Sequence, residues 1–318
     1  MLPLSAGETP ERTAAETGSP EPPILVFWRM RRWRYDTLSP MQLKQALTAA
    51  IETLTASSVG SPRMNAETLL MFVLNSDRAY LYAHPEYELT ADEQARYDDA
   101  IAERSTGKPA QYITGHQEFW GMDLIVSPAV LIPRPETEHV IETMLQLTRA
   151  MQAPRLIDVG TGSGCIALAL AMELPWARVE AVDVSPVALE VARANAHRLQ
   201  LDHRIIFNQR DLLAGASAAM YDFVVSNPPY VPESEPDKAQ REVREFEPKV
   251  AVFAGENGLE VYRRLVPQAR VALKPGGWLV VEIGYSLAAP VHELVRDWAE
   301  VRVTPDLQGI PRVVAART

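Results

Sequence analysis

Four consecutive residues, Asn227-Pro228-Pro229-Tyr230, combine groups that can hold a flat molecule with hydrogens to donate. Proline has no N–H and a fixed φ, so two in succession remove two backbone donors and stiffen the turn. The Pro228 carbonyl is then an outward-facing acceptor, and the Asn227 side-chain oxygen is a second. Two acceptors side by side suit a planar NH2 group. Tyr230 adds an aromatic face against a flat substrate group. Asn-Pro alone is an ordinary turn signal. Its position after the apolar run Phe223–Ser226, downstream of two further motifs, argues for a site instead.

The first of those motifs is Asp158-Val159-Gly160-Thr161-Gly162-Ser163-Gly164, directly after an apolar run and before a helical one. Glycines allow a tight turn and close approach of backbone to ligand. A strand followed by such a loop binds nucleotide-like cofactors at the carboxyl end of a sheet. The spacing is G-x-G-x-G, which is neither the dinucleotide fingerprint nor a P-loop. The second motif is Asp183, which ends Val179-Glu180-Ala181-Val182 nineteen residues after Gly164. An acid there can accept hydrogen bonds from both hydroxyls of a ribose. It could equally cap the helix beginning at Pro186. Loop and acid together indicate a nucleoside cofactor, with NAD still open on these features alone.

The elements that must position these motifs alternate. Runs at 156–159, 179–182, 205–208, 223–226, 278–283 and 312–316 read as strands. Stretches at 136–150, 166–173, 186–199, 262–273 and 291–298 read as helices. Such alternation predicts a doubly wound α/β sheet. Ahead of it, Leu43, Leu47, Ala50, Ile51 and Leu54 recur at helical spacing. Ser39-Pro40 reads as the N-cap of that helix, with proline at its first position. Met64–Leu74 is a second helix, and Thr90 with Glu93 forms a capping box opening a third. The expected organisation is an extension over 1–40 and a small helical domain over 41–107. A hairpin linker over 108–135 and a catalytic domain over 136–318 follow.

Composition narrows the function. The 318 residues are 47% hydrophobic and 23% charged, an ordinary globular balance, with a formal net charge of -10. An acidic chain is poorly suited to gripping nucleic-acid phosphates over a broad face. Cys165 is the one cysteine, so no intrachain disulfide can form, which fits a reducing cytoplasm. No apolar run is long enough to span a membrane. Residues 1–40 hold six of the 25 prolines and are expected to be disordered. No Cys/His cluster has zinc spacing, and the single His116 and His139 suit surface or packing roles.

At this point the sequence resembles the class I methyltransferases that act on planar nitrogen. Within them it is similar to the glutamine methyltransferases of translation release factors, the PrmC or HemK family. The likeness runs over nearly all of 41–318. It includes Asn65-Ala66-Glu67-Thr68-Leu69-Leu70, Gln111-Tyr112-Ile113-Thr114-Gly115 and Ile132-Pro133-Arg134-Pro135-Glu136-Thr137-Glu138. The glycine loop, Asp183 and Asn227–Tyr230 follow, then Glu247-Pro248, Gly258-Leu259, Tyr262-Arg263, Gly309 and Arg312. The resemblance implies a seven-stranded sheet, S-adenosylmethionine as cofactor and a monomer. It places Gly160, Thr161, Gly162, Ser163 and Gly164 at the cofactor's methionine part, Asp183 at its ribose and Asp211 near its adenine. Leu212 stands where an aromatic often meets the adenine. Phe119, Arg134, Pro135 and Thr137 would cover the cofactor and shape the glutamine pocket, with Asn227 touching both. Phe119 as a core residue and Arg134 as a surface ion pair are the plain alternatives.

The implied reaction moves a methyl group to the side-chain amide nitrogen of the glutamine in the Gly-Gly-Gln motif of peptide-chain release factors. The helical domain would choose the partner. Asn227 and the Pro228 carbonyl would hold the amide hydrogens and aim the nitrogen, a matter of alignment more than of acid–base chemistry. Three rivals remain: a ribosomal-protein glutamine methyltransferase, an adenine- or cytosine-amino methyltransferase, and a binding module that kept the fold. The acidic balance and the absence of a basic arm count against the second, and the intact N-P-P-Y and glycines against the third.

Overall fold

The computed structural model describes residues 41–318. The expected extension over 1–40, with Ser39-Pro40 in it, lies outside the described residues. Helix α1 (Leu43–Ala56) is capped at Gln42, whose backbone N–H donates to Gln45 Oε1 at 3.2 Å. Helix α2 (Pro62–Leu74) and the short α3 (Arg78–Ala83) follow. Helix α4 (Ala91–Ser105) starts with the expected capping box. Thr90 N–H donates to Glu93 Oε2 at 2.8 Å, and Glu93 N–H donates to Thr90 Oγ1 at 3.2 Å. The apolar faces of α1, α2 and α4 meet in one core, with Leu43, Leu54, Leu69, Leu70 and Tyr97 all but fully buried.

A short helix α5 (Ala110–Thr114) leads into the hairpin of β1 (His116–Phe119) and β2 (Met122–Ile125). Phe119 pairs with Met122, so Trp120 and Gly121 make the turn, with φ of 52° and 70°. Positive φ at both positions is the signature of a type I′ turn, whose twist matches the strands. The hairpin buries Phe119, Met122 and Leu124 in the main core.

After a 3-10 turn at Pro135–Thr137 and helix α6 (Glu138–Thr148), the large sheet begins. Its elements are β3 (Arg155–Val159), α7 (Cys165–Glu173), β4 (Arg178–Asp183), α8 (Pro186–Arg198), β5 (Ile205–Gln209) and β6 (Tyr221–Ser226). Short helices α9 (Arg241–Phe246) and α10 (Lys249–Val252) come next. The chain then forms α11 (Glu260–Ala272), β7 (Leu273–Glu282), α12 (Ala288–Leu294), β8 (Glu300–Pro305) and β9 (Pro311–Arg317). The seven strands lie in the order β5-β4-β3-β6-β7-β9-β8, with β9 antiparallel to both its neighbours and the remaining pairs parallel. Successive strand residues face opposite layers. Leu156, Phe223 and Val225 pack against α6 and α7, while Ile157, Val224 and Val281 pack against α11 and α12.

This topology fixes where chemistry can occur. The chain winds outward from β3 through β4 to β5, then returns to β6 beside β3 and winds the other way. Helices therefore diverge at the β3/β6 boundary and leave a crevice at the carboxyl ends of those strands. The glycine loop follows β3 and Asn227-Pro228-Pro229-Tyr230 follows β6, so two motifs far apart in sequence meet there.

Candidate active site

The glycine loop turns with φ of 74°, 56° and 85° at Gly160, Gly162 and Gly164, a region closed to most side chains. A Cβ on Gly160 or Gly162 would meet no atom within 4 Å, because both line an open cavity. A Cβ on Gly164 would lie 3.1 Å from Leu168 and 3.3 Å from Ala192, so this glycine brings helices together. The loop is tied to β4: Gly160 N–H donates to Val182 O at 2.8 Å, and Gly162 N–H donates to Asp183 Oδ2 at 2.9 Å. Asp183 Oδ1 accepts from Ser185 N–H at 2.9 Å. Asp183 thus holds the loop and the turn into α8 while its remaining lone pairs line the cavity. The cap of α8 itself is Ser185, whose Oγ accepts from Ala188 N–H at 3.3 Å, so Asp183 braces the turn before the helix and does not cap it.

A second tether was invisible in the sequence. Asn195 of α8 is fully buried. Its oxygen accepts from Ile125 N–H at 2.7 Å, and its NH2 donates to Ile125 O and to Ser163 O, both at 3.0 Å. One side chain therefore joins the hairpin to the glycine loop. Beneath the loop, Asp158 Oδ2 accepts from Thr161 at 2.6 Å, and burial pushes the Asp158 carboxyl up to about 7. Burial also pushes the Cys165 thiol up to about 12, so it stands as a neutral thiol at the cavity wall.

Two cavities meet at the β3/β6 crevice. The first is walled by the glycine loop, Asp183, Asp211 and Leu212, with Leu131, Pro133, Thr137 and Val250 opposite. The second is walled by Pro228, Tyr230, Arg134, Glu136, Glu282 and Arg312, closed by Gln240 and Val243. Asn227 and Pro229 line both, as do Leu131 and Ala251, so the N-P-P-Y segment forms part of the partition between them. The partition is rigidly backed. Ser226 Oγ donates to Val159 O at 2.6 Å, joining the ends of β6 and β3. Gly258, at φ 77°, passes so close that a Cβ there would sit 2.4 Å from Tyr230 O. A Cβ on Gly284 would sit 3.0 Å from the Tyr230 ring. Among the described residues none donates a hydrogen bond to the Pro228 carbonyl.

Asn227 is not free to rotate. Its NH2 donates to Thr137 Oγ1 at 3.0 Å, and Thr137 Oγ1 donates to Glu282 Oε2 at 2.6 Å. Tyr230 OH donates to Glu282 Oε1 at 3.4 Å, and Tyr262 OH donates to the Glu282 carbonyl at 2.7 Å. Burial raises the Tyr230 hydroxyl well above its ordinary range, so it stays a donor.

The expected site residues separate into groups. Gly160, Thr161, Gly162, Ser163, Asp183, Asp211, Leu212, Thr137 and Asn227 share the first cavity. Asp211 also pairs with Arg264 at 2.6 Å. Arg134 lines the second cavity and forms an ion pair with Glu247, a buried carboxylate whose other oxygen accepts from Ile132 N–H at 3.1 Å. Arg134 thus lies away from the first cavity, and its ion pair is with a buried carboxylate, not on the surface. Phe119 lies in the core under the hairpin and lines neither cavity, as the plain alternative for it has it. Pro135 starts the turn that presents Thr137 and lines neither cavity. Glu282 and Asn195 were not anticipated. Glu282 carries the same signal as Asp183, an acid ending an apolar strand, and could have been found by it.

The sheet order, the glycine loop after its first strand in sequence, an acid ending the second and N-P-P-Y after the fourth define a class I methyltransferase. Residues 137–245 match the family model of the methyltransferase small domain, and residues 45–115 match that of the PrmC N-terminal domain. The release factor glutamine methyltransferase of Koribacter versatilis (strain Ellin345) is 59% identical over 278 residues, covering 87% of this chain and 99% of the relative. That of Moorella thermoacetica is 43% identical over 279 residues, covering 87% and 98%. The hMettl16 catalytic domain in complex with MAT2A 3'UTR hairpin 1 superposes with a TM-score of 0.52 at 20% identity, over 69% of this chain and 80% of that one, a likeness of fold alone. The chain belongs to the release factor glutamine methyltransferase family.

Proposed function

We propose that this chain methylates the side-chain amide nitrogen of the glutamine in the Gly-Gly-Gln motif of peptide-chain release factors. It would act as a cytoplasmic monomer that uses S-adenosylmethionine. The observation that carries the reading is the partition. Asn227 is held with its NH2 on Thr137, which leaves its oxygen as an acceptor beside the unclaimed Pro228 carbonyl. That pair fits the two hydrogens of a primary amide. The names of the relatives narrow that amide to release-factor glutamine.

The first cavity suits the cofactor. Gly160 and Gly162 leave the space that a side chain would fill, and Thr161, Ser163 and Asp183 line that space with polar groups. Asp183 would hold the ribose, and Leu212 with Asp211 would flank the adenine. The bound cofactor supplies an activated sulfonium methyl group. An amide nitrogen is a weak nucleophile because its lone pair is delocalised, so the chain's work is alignment and charge stabilisation. Asn227 and Pro228 would orient the nitrogen, and Tyr230 would stack on the amide plane. Their acceptor oxygens favour positive charge at that position. The helical region, on the far side of α9, would contact the rest of the partner and supply selectivity.

The test is labelled-methyl transfer into purified release factor, ribosomal protein and DNA, with the labelled residue located by mass spectrometry. Release-factor glutamine should carry the label. Asn227→Ala should lose most turnover while keeping cofactor affinity, the pattern for an interaction made chiefly in the transition state. Label in DNA or in a ribosomal protein alone would overturn the substrate.

A further inference from the structure

Glu282 stands out among groups without an assigned role. It is 2% exposed yet lines the second cavity, and it reaches Asn227 through a single hydroxyl. A threonine hydroxyl has one proton to give and lone pairs to receive. An ionised carboxylate can only accept. With Glu282 charged, Thr137 must point its proton at Glu282, and its lone pair then takes a hydrogen from the Asn227 NH2. The Asn227 oxygen is thereby turned toward the cavities. We propose that Glu282 is a positioning residue for methyl transfer, setting the polarity of Asn227 through Thr137 so that its oxygen meets the substrate NH2. The inference rests on the amide-methylating reading of the site.

The arrangement is directional. If Glu282 could donate, Thr137 could turn its proton toward Asn227. The Asn227 amide would then flip and present NH2 to the substrate NH2, donor against donor. The same polarity separates glutamine from glutamate. Asn227 O, Pro228 O and the Glu282 carboxylate all repel a carboxylate, and none can donate to it. The other groups around Glu282 are consistent with this. Glu136 and Arg312 line the same cavity, Arg312 pairs with Asp306 at 2.8 Å, and Arg134 is engaged by Glu247. Besides Thr137, the hydroxyls at Glu282 are Tyr230, which donates to its carboxylate, and Tyr262, which donates to its backbone carbonyl.

The test uses the full chain with Glu282→Gln, Thr137→Val and the double variant. Glutamine keeps the size of Glu282 but can donate, and valine removes the relay. In Glu282→Gln, cofactor affinity by calorimetry should stay within about twofold, because Glu282 lines the second cavity and not the first, whereas kcat should fall roughly a hundredfold in every variant, the scale for one preorganised hydrogen bond at a reacting group. The double variant should be no slower than Thr137→Val, since both act on one relay. Wild-type kcat should fall as pH drops through about 7, where burial places the Glu282 carboxyl, and Thr137→Val should lose that dependence. An activity-independent readout is the Asn227 side-chain NH2 pair in nitrogen–proton correlation spectra, assigned by its loss in Asn227→Ala. Glu282→Gln should shift that pair. Multiplicative losses in the double variant, or unshifted Asn227 signals, would overturn the relay. Wild-type failure to label release factor, with shifted signals in Glu282→Gln, would overturn the substrate reading and leave the relay standing.

Discussion

Replacing Asn195 with alanine should loosen the hairpin and the glycine loop together. The side chain makes three hydrogen bonds at full burial: from Ile125 N–H, and to Ile125 O and Ser163 O. Alanine leaves one backbone donor and two backbone acceptors without their partner. An unpaired buried polar group costs about 1–3 kcal/mol, but groups in one network do not add fully. A total of about 3–5 kcal/mol follows, which lowers the melting temperature by roughly 6–15 °C in a chain of this size. Because Ser163 belongs to the cofactor loop, cofactor affinity should weaken several-fold in the same variant, about 1 kcal/mol. Thermal denaturation followed by calorimetry on the folded protein measures both. Asn195→Asp sharpens the test. It would place a carboxylate oxygen against two carbonyls, so it should be more destabilising than alanine at pH 8 and less so at pH 5. A melting point within about 2 °C of wild type for Asn195→Ala, less than 1 kcal/mol, would refute the tether.

Three further outcomes are expected. Asp183→Ala should weaken cofactor binding by about 1–3 kcal/mol, and unchanged calorimetric affinity would remove Asp183 from the ribose site. Gly258→Ala, whose Cβ would sit 2.4 Å from Tyr230 O at φ 77°, should displace the N-P-P-Y segment. It should depress kcat far more than cofactor affinity, and a kcat within about twofold of wild type would contradict that displacement. Burial raises the Glu282 carboxyl from 4.5 to about 7, so the folded chain holds a proton there that the unfolded chain has released. The stability from that proton is present below the unfolded value and is lost as pH rises through about 7. Glu282→Gln lacks this loss, so it should gain on wild type between pH 5 and 8 by up to about 3 kcal/mol, and a pH-independent difference in melting would show that the carboxyl titrates normally.

What the sequence disclosed follows from how far each residue's partner lies along the chain. The glycine loop, the Thr90–Glu93 box and the Asn227–Tyr230 turn carry their meaning within a few residues, and each formed where its pattern placed it. The edge strand β8 has an exposed, irregular burial pattern with no alternation to betray it. Helices α9 and α10 are too short for periodicity to show, yet α9 and the chain before it close the second cavity. Glu282 meets Thr137 across 145 positions and Glu247 meets Ile132 across 115, so neither contact exists until the sheet is wound. Phe119 illustrates the converse: an aromatic beside a motif that packs in the core and lines neither cavity. The deepest case is the pair of acids. Asp183 and Glu282 carry one local signal, a carboxylate ending an apolar strand. Their roles diverge because β4 lies beside β3 and β7 lies beside β6. The first acid therefore faces the glycine-loop cavity and the second faces the other side of the partition. Strand order, a property of the whole sheet, decides which acid can hold a ribose and which can set the polarity of Asn227.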